Sequence, residues 1–227
     1  MIRQLMRNRR GAIILDIDTQ KDFLLYDGQA CTKNHRRVLA NIRRVMAWAR
    51  VREVPVVSTS SVYEKGGNGD YCIEGTQGQE KVSYTLLNNR ISFAADDQTS
   101  LPNDILHRYQ QVILQKRCSD PFDEPIIERL LTELKVGEFI LIGSCAEDAI
   151  LTAALGLLQR GKKVTLVIDA VGWRNKREAE MAFRKIKTKG AKLIETKKLA
   201  GVSHLNQVRA CGCKSCLAER SRAMVSL

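Results

Sequence analysis

The sequence predicts an α/β fold in which a mostly parallel, six-stranded sheet is covered by helices on both faces. Three observations carry this prediction. Short apolar runs of strand length alternate with segments whose apolar residues recur at helical spacing. The runs are apolar throughout, as strands buried on both faces are. Short turns that contain glycine separate the two kinds of segment, which is typical of repeated strand–helix–strand units.

The elements follow in chain order from these patterns. The predicted strands are 12–18, 54–60, 112–116, 139–143, 164–171 and 192–196. The predicted helices are 35–52, 124–134, 149–161 and 177–188, with Asp123 as the cap of the second and Pro125 in its first turn. Residues 64–78 form a glycine-rich loop, and 82–110 give no clear pattern beyond a short strand or helix at 83–87.

Composition limits the class of protein and its surroundings. No apolar run approaches the roughly 20 residues that cross a bilayer, and the basic N-terminal segment lacks the apolar stretch of a secretory signal. Seven cysteines, an odd number in a long chain, fit a reducing compartment better than a disulfide framework. We therefore expect a cytoplasmic protein with no membrane partner, in which residues 1–200 form one domain and 201–227 a cysteine-containing tail.

The chain is strongly basic, with a formal net charge of +12. Such a charge attracts anionic small molecules, nucleic acid or acidic partners over long distances. The arginines and lysines are scattered and few aromatic residues lie between them, which favours a solvated surface over a nucleic-acid groove. Nucleic acid is therefore the least favoured partner, and a small molecule the most favoured.

Residues 139–161 are the centre of the predicted fold, because an apolar strand runs through SCAED directly into an alanine-rich helix. Such a turn directs backbone N–H groups and the positive end of the helix dipole at one point. Asp18 and Lys116 end two other predicted strands, and parallel sheets place their sites at the carboxyl ends of strands. An acid or base, a positive charge and an anion-stabilising turn would then lie together. The alternative, which spacing alone slightly favours, is that both residues are ordinary solvated strand-end side chains.

The tail carries a second candidate site. The run CGCKSC contains three cysteines, and a histidine precedes it by seven residues. One imidazole and three thiolates can complete a tetrahedral zinc site, although the spacing is not that of a standard zinc finger. The alternative is a reduced tail with no metal. The candidate ligands are His204, Cys211, Cys213 and Cys216.

Several motifs, in order along the chain, resemble those of the isochorismatase-like, or cysteine hydrolase, superfamily. The resembling stretches are ILDIDTQKDF at 14–23, CIEGTQGQEK at 72–81, the lysine at 116, GSCAEDAILTAA at 143–154 and DAVGWRNKREAEMAF at 169–183. Together they cover roughly residues 10–198. The resemblance implies a three-layer α/β/α sandwich and assembly as a dimer or tetramer.

The resemblance also implies roles for individual residues. Most members use an aspartate, a lysine and a cysteine that attacks an amide carbonyl. Asp18 would be the acid or base and Lys116 its charged partner, and the N–H groups of Cys145 and Ala149 would form the oxyanion hole. A cis peptide bond is implied between Ser144 and Cys145. Nicotinamidases of the family bind a metal after the second strand, but Tyr71 stands where a histidine would, so no metal site is expected there and no cofactor is required.

The sequence departs from the family at the nucleophile position, which is Ala149. Without a thiol there is no acyl-enzyme, so cysteine-dependent amidase activity is not expected. On one interpretation Cys145 is a displaced nucleophile. The favoured interpretation is that it is a small buried residue without a catalytic role. Isochorismatases proper also lack the cysteine, and their aspartate resembles a general acid that protonates a vinyl ether. The predicted function is therefore a small-molecule hydrolase without covalent catalysis, or alternatively an inactive pseudoenzyme that binds a ligand or partner.

Overall fold

The computed structural model describes residues 11–66, 70–96, 99–102 and 104–201. Its strands are β1 (Ala12–Ile17), β2 (Val56–Ser61), β3 (Arg90–Phe93), β4 (Gln111–Lys116), β5 (Glu138–Gly143), β6 (Val164–Val171) and β7 (Lys192–Ile194). Its helices are α1 (Lys21–Leu24), α2 (His35–Val51), α3 (Ile105–Arg108), α4 (Pro125–Glu133), α5 (Ala149–Gln159), α6 (Lys176–Thr188) and α7 (Thr196–Ala200). Short 3-10 turns occupy Ser83–Thr85 and Pro121–Asp123.

The seven strands form one parallel sheet in the order β3-β4-β2-β1-β5-β6-β7. Helices cover both faces of the sheet. β1 directs Ile13, Leu15 and Ile17 into the apolar cluster on one face and Ile14 into the cluster on the other. The first cluster contains the buried sides of α4, α5 and α6, and the second contains that of α2. The predicted three-layer α/β fold is confirmed. No helix in the described ranges is long and apolar enough to cross a bilayer.

Three details of the predicted elements were wrong. The sheet has seven strands instead of six, because residues 90–93 add an edge strand inside the segment that gave no pattern. Glu124, not Asp123, occupies the N-cap position of helix α4, and Asp123 ends the preceding 3-10 turn. The last strand stops at Ile194, since Glu195 is already at the N-cap position of α7. Pro125 does occupy the first turn of its helix, as expected.

The end of β1 determines where the Asp18 side chain points. Successive strand residues face opposite sides of a sheet, so Asp16 and Asp18 of a regular strand would share one face. Instead the φ angle of Asp18 is 48°, in the left-handed region. The Asp16 carboxylate contacts Ser58 of β2, whereas the Asp18 carboxylate contacts Thr59, on the other face of that strand. The backbone turn after Ile17 therefore moves Asp18 to the face covered by α5.

Gly143, at the end of β5, allows this turn of the β1 backbone. Its φ is +124°, and a Cβ at this position would lie 1.8 Å from the Ile17 carbonyl oxygen.

We expect Gly143→Ala to lower the free energy of unfolding by about 3 kcal/mol, because the backbone must move and the φ angle is unfavourable for alanine. Urea denaturation measures the change. Gly161→Ala, at φ +69° with no atom within 4 Å of the added Cβ, is the matched control and should cost about 1 kcal/mol. Equal losses in the two variants would contradict the argument.

Candidate active site

A buried ion pair lies at the carboxyl end of the sheet. Lys116 ends β4 and its Nζ is 2.8 Å from Oδ2 of Asp18, which follows β1. The two residues are 0% and 2% exposed, so the pair is shielded from water. Removing two charges from water is expensive, and their mutual attraction offsets that expense only when further hydrogen bonds complete the site.

Two hydroxyl groups of β2 supply these hydrogen bonds. Thr59 Oγ1 donates to Asp18 Oδ1 at 2.7 Å, and Ser61 Oγ donates to Asp18 Oδ2 at 3.1 Å. Ser61 Oγ also accepts a hydrogen bond from Lys116 Nζ at 2.9 Å. The buried Gln20 amide fixes Ser61 in turn, because it bonds to both the N–H and the carbonyl of that residue. The carboxylate, the ammonium and the serine hydroxyl are thus held in one arrangement.

The turn between β5 and α5 lies at the same edge of the sheet. The peptide bond between Ser144 and Cys145 is cis, as the family resemblance implies. Ala149 is the first residue of α5. Within the described part of the chain, the backbone N–H groups of Cys145 and Ala149 donate to no protein acceptor. Two N–H donors at the positive end of a helix can therefore receive negative charge on a bound molecule.

Neither Ala149 nor Cys145 offers a ready nucleophile in this turn. Ala149 is 3% exposed and packs in the apolar cluster around α5. Cys145 is equally buried and packs in the cluster on the other face. Burial raises the pKa of the Cys145 thiol to about 12, an effect that nearby Arg174 only partly offsets. Because the thiolate is the reactive form of cysteine, the protonated Cys145 thiol is a poor nucleophile near neutral pH.

Half-buried polar side chains surround this turn. Arg174 follows β6, and its guanidinium lies 3.5 Å from the carboxylate of Asp148. The same oxygen of Asp148, Oδ2, accepts a hydrogen bond from the hydroxyl of Ser119, in the loop after β4. The ring of Tyr63 packs edge-on against Tyr71 with centroids 5.4 Å apart. Burial raises the pKa of both tyrosines, so both remain neutral phenols at neutral pH.

A second buried ion pair was missed in the sequence. Lys81 Nζ lies 3.0 Å from Asp16 Oδ2, with side chains 4% and 0% exposed. Lys81 also donates to the carbonyl of Thr59, and Ser58 donates to Asp16. Asp16, a charged residue inside the apolar strand β1, was the one signal in the sequence for this pair. Residue spacing could not show that its partner is Lys81. Asp16 Oδ1 has no hydrogen-bond partner among the described residues.

The metal-binding prediction for the tail stays a prediction. His204, Cys211, Cys213 and Cys216 lie outside the described residues. In the ranges that the structure does cover, no group of three or more His, Cys, Asp and Glu side chains is placed to hold a metal ion. Tyr71, at the position implied to be a metal-binding histidine in nicotinamidases, packs between the rings of Phe23 and Tyr63.

Several solved structures share this fold. The nicotinamidase/pyrazinamidase PncA from Bacillus subtilis shares 18% identity, with a TM-score of 0.66, covering 82% of this chain and 100% of its own. MAR1 ribonuclease from Caenorhabditis elegans shares 20%, with a TM-score of 0.59 and coverage of 85% and 81%. N-carbamoylsarcosine amidase from Thermoplasma acidophilum shares 18%, with a TM-score of 0.62 and coverage of 82% and 96%. The TM-scores show a shared fold at these low identities. A comparison with the curated proteins found no match.

A family model described as the isochorismatase domain matches residues 12–198. That range contains all seven strands and both members of the Asp18–Lys116 pair. The chain therefore belongs to the isochorismatase family.

Proposed function

We propose that this protein is a hydrolase that acts on a small molecule through Asp18 and Lys116, without a covalent cysteine intermediate. The buried ion pair between these two residues carries the proposal. Burying two charges costs free energy of desolvation, and ionisable groups held in such surroundings are common at functional sites. Anionic molecules are the first class to test, because the chain carries a net charge of +12.

Each part of the site has a chemical role in this proposal. Asp18 is the general acid: in the resting pair it is a carboxylate, so it must first take up a proton, which it then gives to the substrate. Lys116 stabilises the carboxylate that remains after the proton has left. The N–H groups of Cys145 and Ala149 bind a negatively charged group that the substrate already carries. Water is the nucleophile, because the position of the family cysteine holds Ala149 and no acyl-enzyme can form.

The test is turnover of a panel of anionic vinyl ethers and a panel of amides by the purified protein and by Asp18→Asn. We expect hydrolysis of vinyl ethers that falls by a factor of about 100 or more in the variant, the usual effect of losing a general acid. Asp16→Asn is the matched control, because it disturbs the other buried ion pair and leaves Asp18 unchanged. Turnover that is equal in wild type and Asp18→Asn would refute the assigned role.

A second candidate is an inactive family member that uses the same site to bind a ligand or partner. Two observations favour it: Ala149 supplies no nucleophile, and the Asp18 carboxylate already accepts hydrogen bonds on both oxygens. On this proposal, members of the panels would bind without being hydrolysed. Isothermal titration with each compound that is not turned over separates the two candidates.

A further inference from the structure

Helix α2 is strongly basic on its exposed side. Its 17 residues include five arginines and no aspartate or glutamate, whereas its apolar residues pack inward against the sheet. Arg36 and Arg37 lie in the first turn, where the positive end of the helix dipole makes a cation unfavourable. No acidic residue in that turn offsets this effect. Packing of the helix on the sheet therefore explains its apolar residues but not its arginines.

Four of these arginines surround one small residue, Ala40, which is exposed in the first half of the helix. Arg36 and Arg37 precede it by four and three positions. Arg43 and Arg44 follow it by three and four positions. Residues three or four positions apart are neighbours on a helix surface, and the two arginine pairs lie about 10 Å apart along the axis. These four closely spaced cations are called the arginine face below.

Contacts with neutral groups fix the second pair of arginines. The Arg43 guanidinium lies over the Tyr84 ring, 5.0 Å from its centroid. Arg44 donates to the carbonyl of Gly201, at the end of helix α7, at 2.6 Å. Neither of these partners carries a charge, so the contacts hold the guanidinium groups in place without cancelling their charge. The first pair, in the first turn of the helix, is exposed.

Two carboxylates of the segments that pack beside α2 are already engaged. Glu195, at the N-cap position of α7, pairs with Lys197 at 2.7 Å. Asp169 Oδ1 accepts hydrogen bonds from both the N–H and the hydroxyl of Thr196. Lys198 of α7 is exposed and adds a further positive charge. The surface formed by α2 and α7 is therefore positive, and it suits a partner with many negative charges.

Polyanions differ in the surface that they require. Insertion into an anionic bilayer and docking of an acidic protein both need large apolar side chains beside the basic ones. The centre of the arginine face is Ala40, and the exposed large hydrophobic residue of α2 is Val51, at the other end of the helix. Single-stranded nucleic acid needs aromatic rings on which bases stack, but Arg43 lies over the Tyr84 ring. The phosphates of a duplex need only closely spaced cations, which the arginine face supplies.

We propose that the arginine face binds the phosphate backbone of a nucleic-acid duplex, without regard to base sequence. The sequence alone placed nucleic acid last, because basic residues are scattered along the chain with few aromatic residues between them. The fold gathers four of these basic residues on one helix, and binding to the backbone of a duplex makes no use of aromatic stacking. The proposal is independent of the hydrolase function, since none of the four arginines belongs to the Asp18–Lys116 pair.

The test is binding of a short DNA duplex, and of an RNA duplex of the same sequence, followed by fluorescence anisotropy between about 50 and 200 mM salt. Four phosphate contacts predict that the logarithm of the association constant falls with that of the salt concentration with a slope of about −3 to −4. Arg36→Gln/Arg37→Gln should make the slope shallower by about 2 and weaken binding about tenfold or more at low salt. Arg184→Gln/Lys185→Gln is the matched control, because it removes the same charge from exposed positions of α6, and its affinity should stay within about twofold of wild type.

Urea denaturation of the same variants separates a binding role from a structural one. Removing two cations from the first turn of α2 should leave the free energy of unfolding unchanged or raise it, because the helix dipole disfavours them there. Weaker duplex binding without loss of stability would support the proposal, whereas equal losses of binding in the two double variants would overturn it. Competition experiments with the wild-type chain do not depend on how the variants fold. Tighter binding of a single strand, of anionic lipid vesicles or of polyglutamate than of the duplex would also overturn the proposal.

Discussion

Lys116→Met should lower the free energy of unfolding by about 3–5 kcal/mol, the usual result of removing one partner from a buried ion pair. The substitution leaves Asp18 2% exposed, with its hydrogen bonds from Thr59 and Ser61 but without its counter-charge. The carboxylate must then remain charged in an apolar surrounding or take up a proton, and either state is expensive at pH 7. Urea denaturation of both proteins at pH 7 measures the loss.

The double variant Asp18→Asn/Lys116→Met should recover most of this stability. Asparagine can still accept a hydrogen bond from Thr59, and no buried charge remains to be compensated. Lys21→Met provides the comparison at the surface, because its ion pair with Glu80 is exposed and should contribute at most about 1 kcal/mol. A double variant as unstable as Lys116→Met alone would mean that the loss comes from packing of the lysine chain and not from charge.

The parts of the fold that the sequence predicted are those in which burial dictates residue type. Strands such as β1 and β5 are covered on both faces, so nearly every residue in them is apolar and the pattern is unambiguous. Strand β3 is a four-residue edge strand in which only Ile91 and Phe93 face the helices. Two apolar residues separated by a polar one carry too little pattern to distinguish a strand from a loop.

The features of the site also divide into those that the sequence pattern predicts and those that it does not. Asp18 and Lys116 were predicted to meet because parallel strands bring their carboxyl ends to one edge. The side of the sheet on which they meet depends on the left-handed φ of Asp18 and on the absence of a side chain at Gly143, neither of which has a periodic signature. Ser61 was missed for a further reason. Its importance comes from contacts with Asp18 and Lys116, which lie more than 40 positions away in the chain.

Ala149→Cys should create a reactive thiol and, with it, measurable amide hydrolysis. Residue 149 is as buried as Cys145, but it begins α5, where the helix dipole stabilises a thiolate, so we expect a cysteine there to have a lower pKa than Cys145. The neighbouring N–H groups are free to receive the oxyanion of an amide under attack. Since Ala149 is 3% exposed, the added sulfur should also lower stability by about 1 kcal/mol or more.

The measurement is alkylation by iodoacetamide at pH 8, located by peptide mass spectrometry so that exposed Cys118 is not counted, together with turnover of the amide panel. Cys145 is the internal reference: its pKa of about 12 keeps it protonated at pH 8, so it should be alkylated far more slowly. Asp18→Asn in the Ala149→Cys background should retain alkylation and lose turnover, because the aspartate is the acid or base of the reaction. A thiol at 149 that is alkylated but never hydrolyses an amide would show that attack alone is insufficient, and would favour a site used for binding.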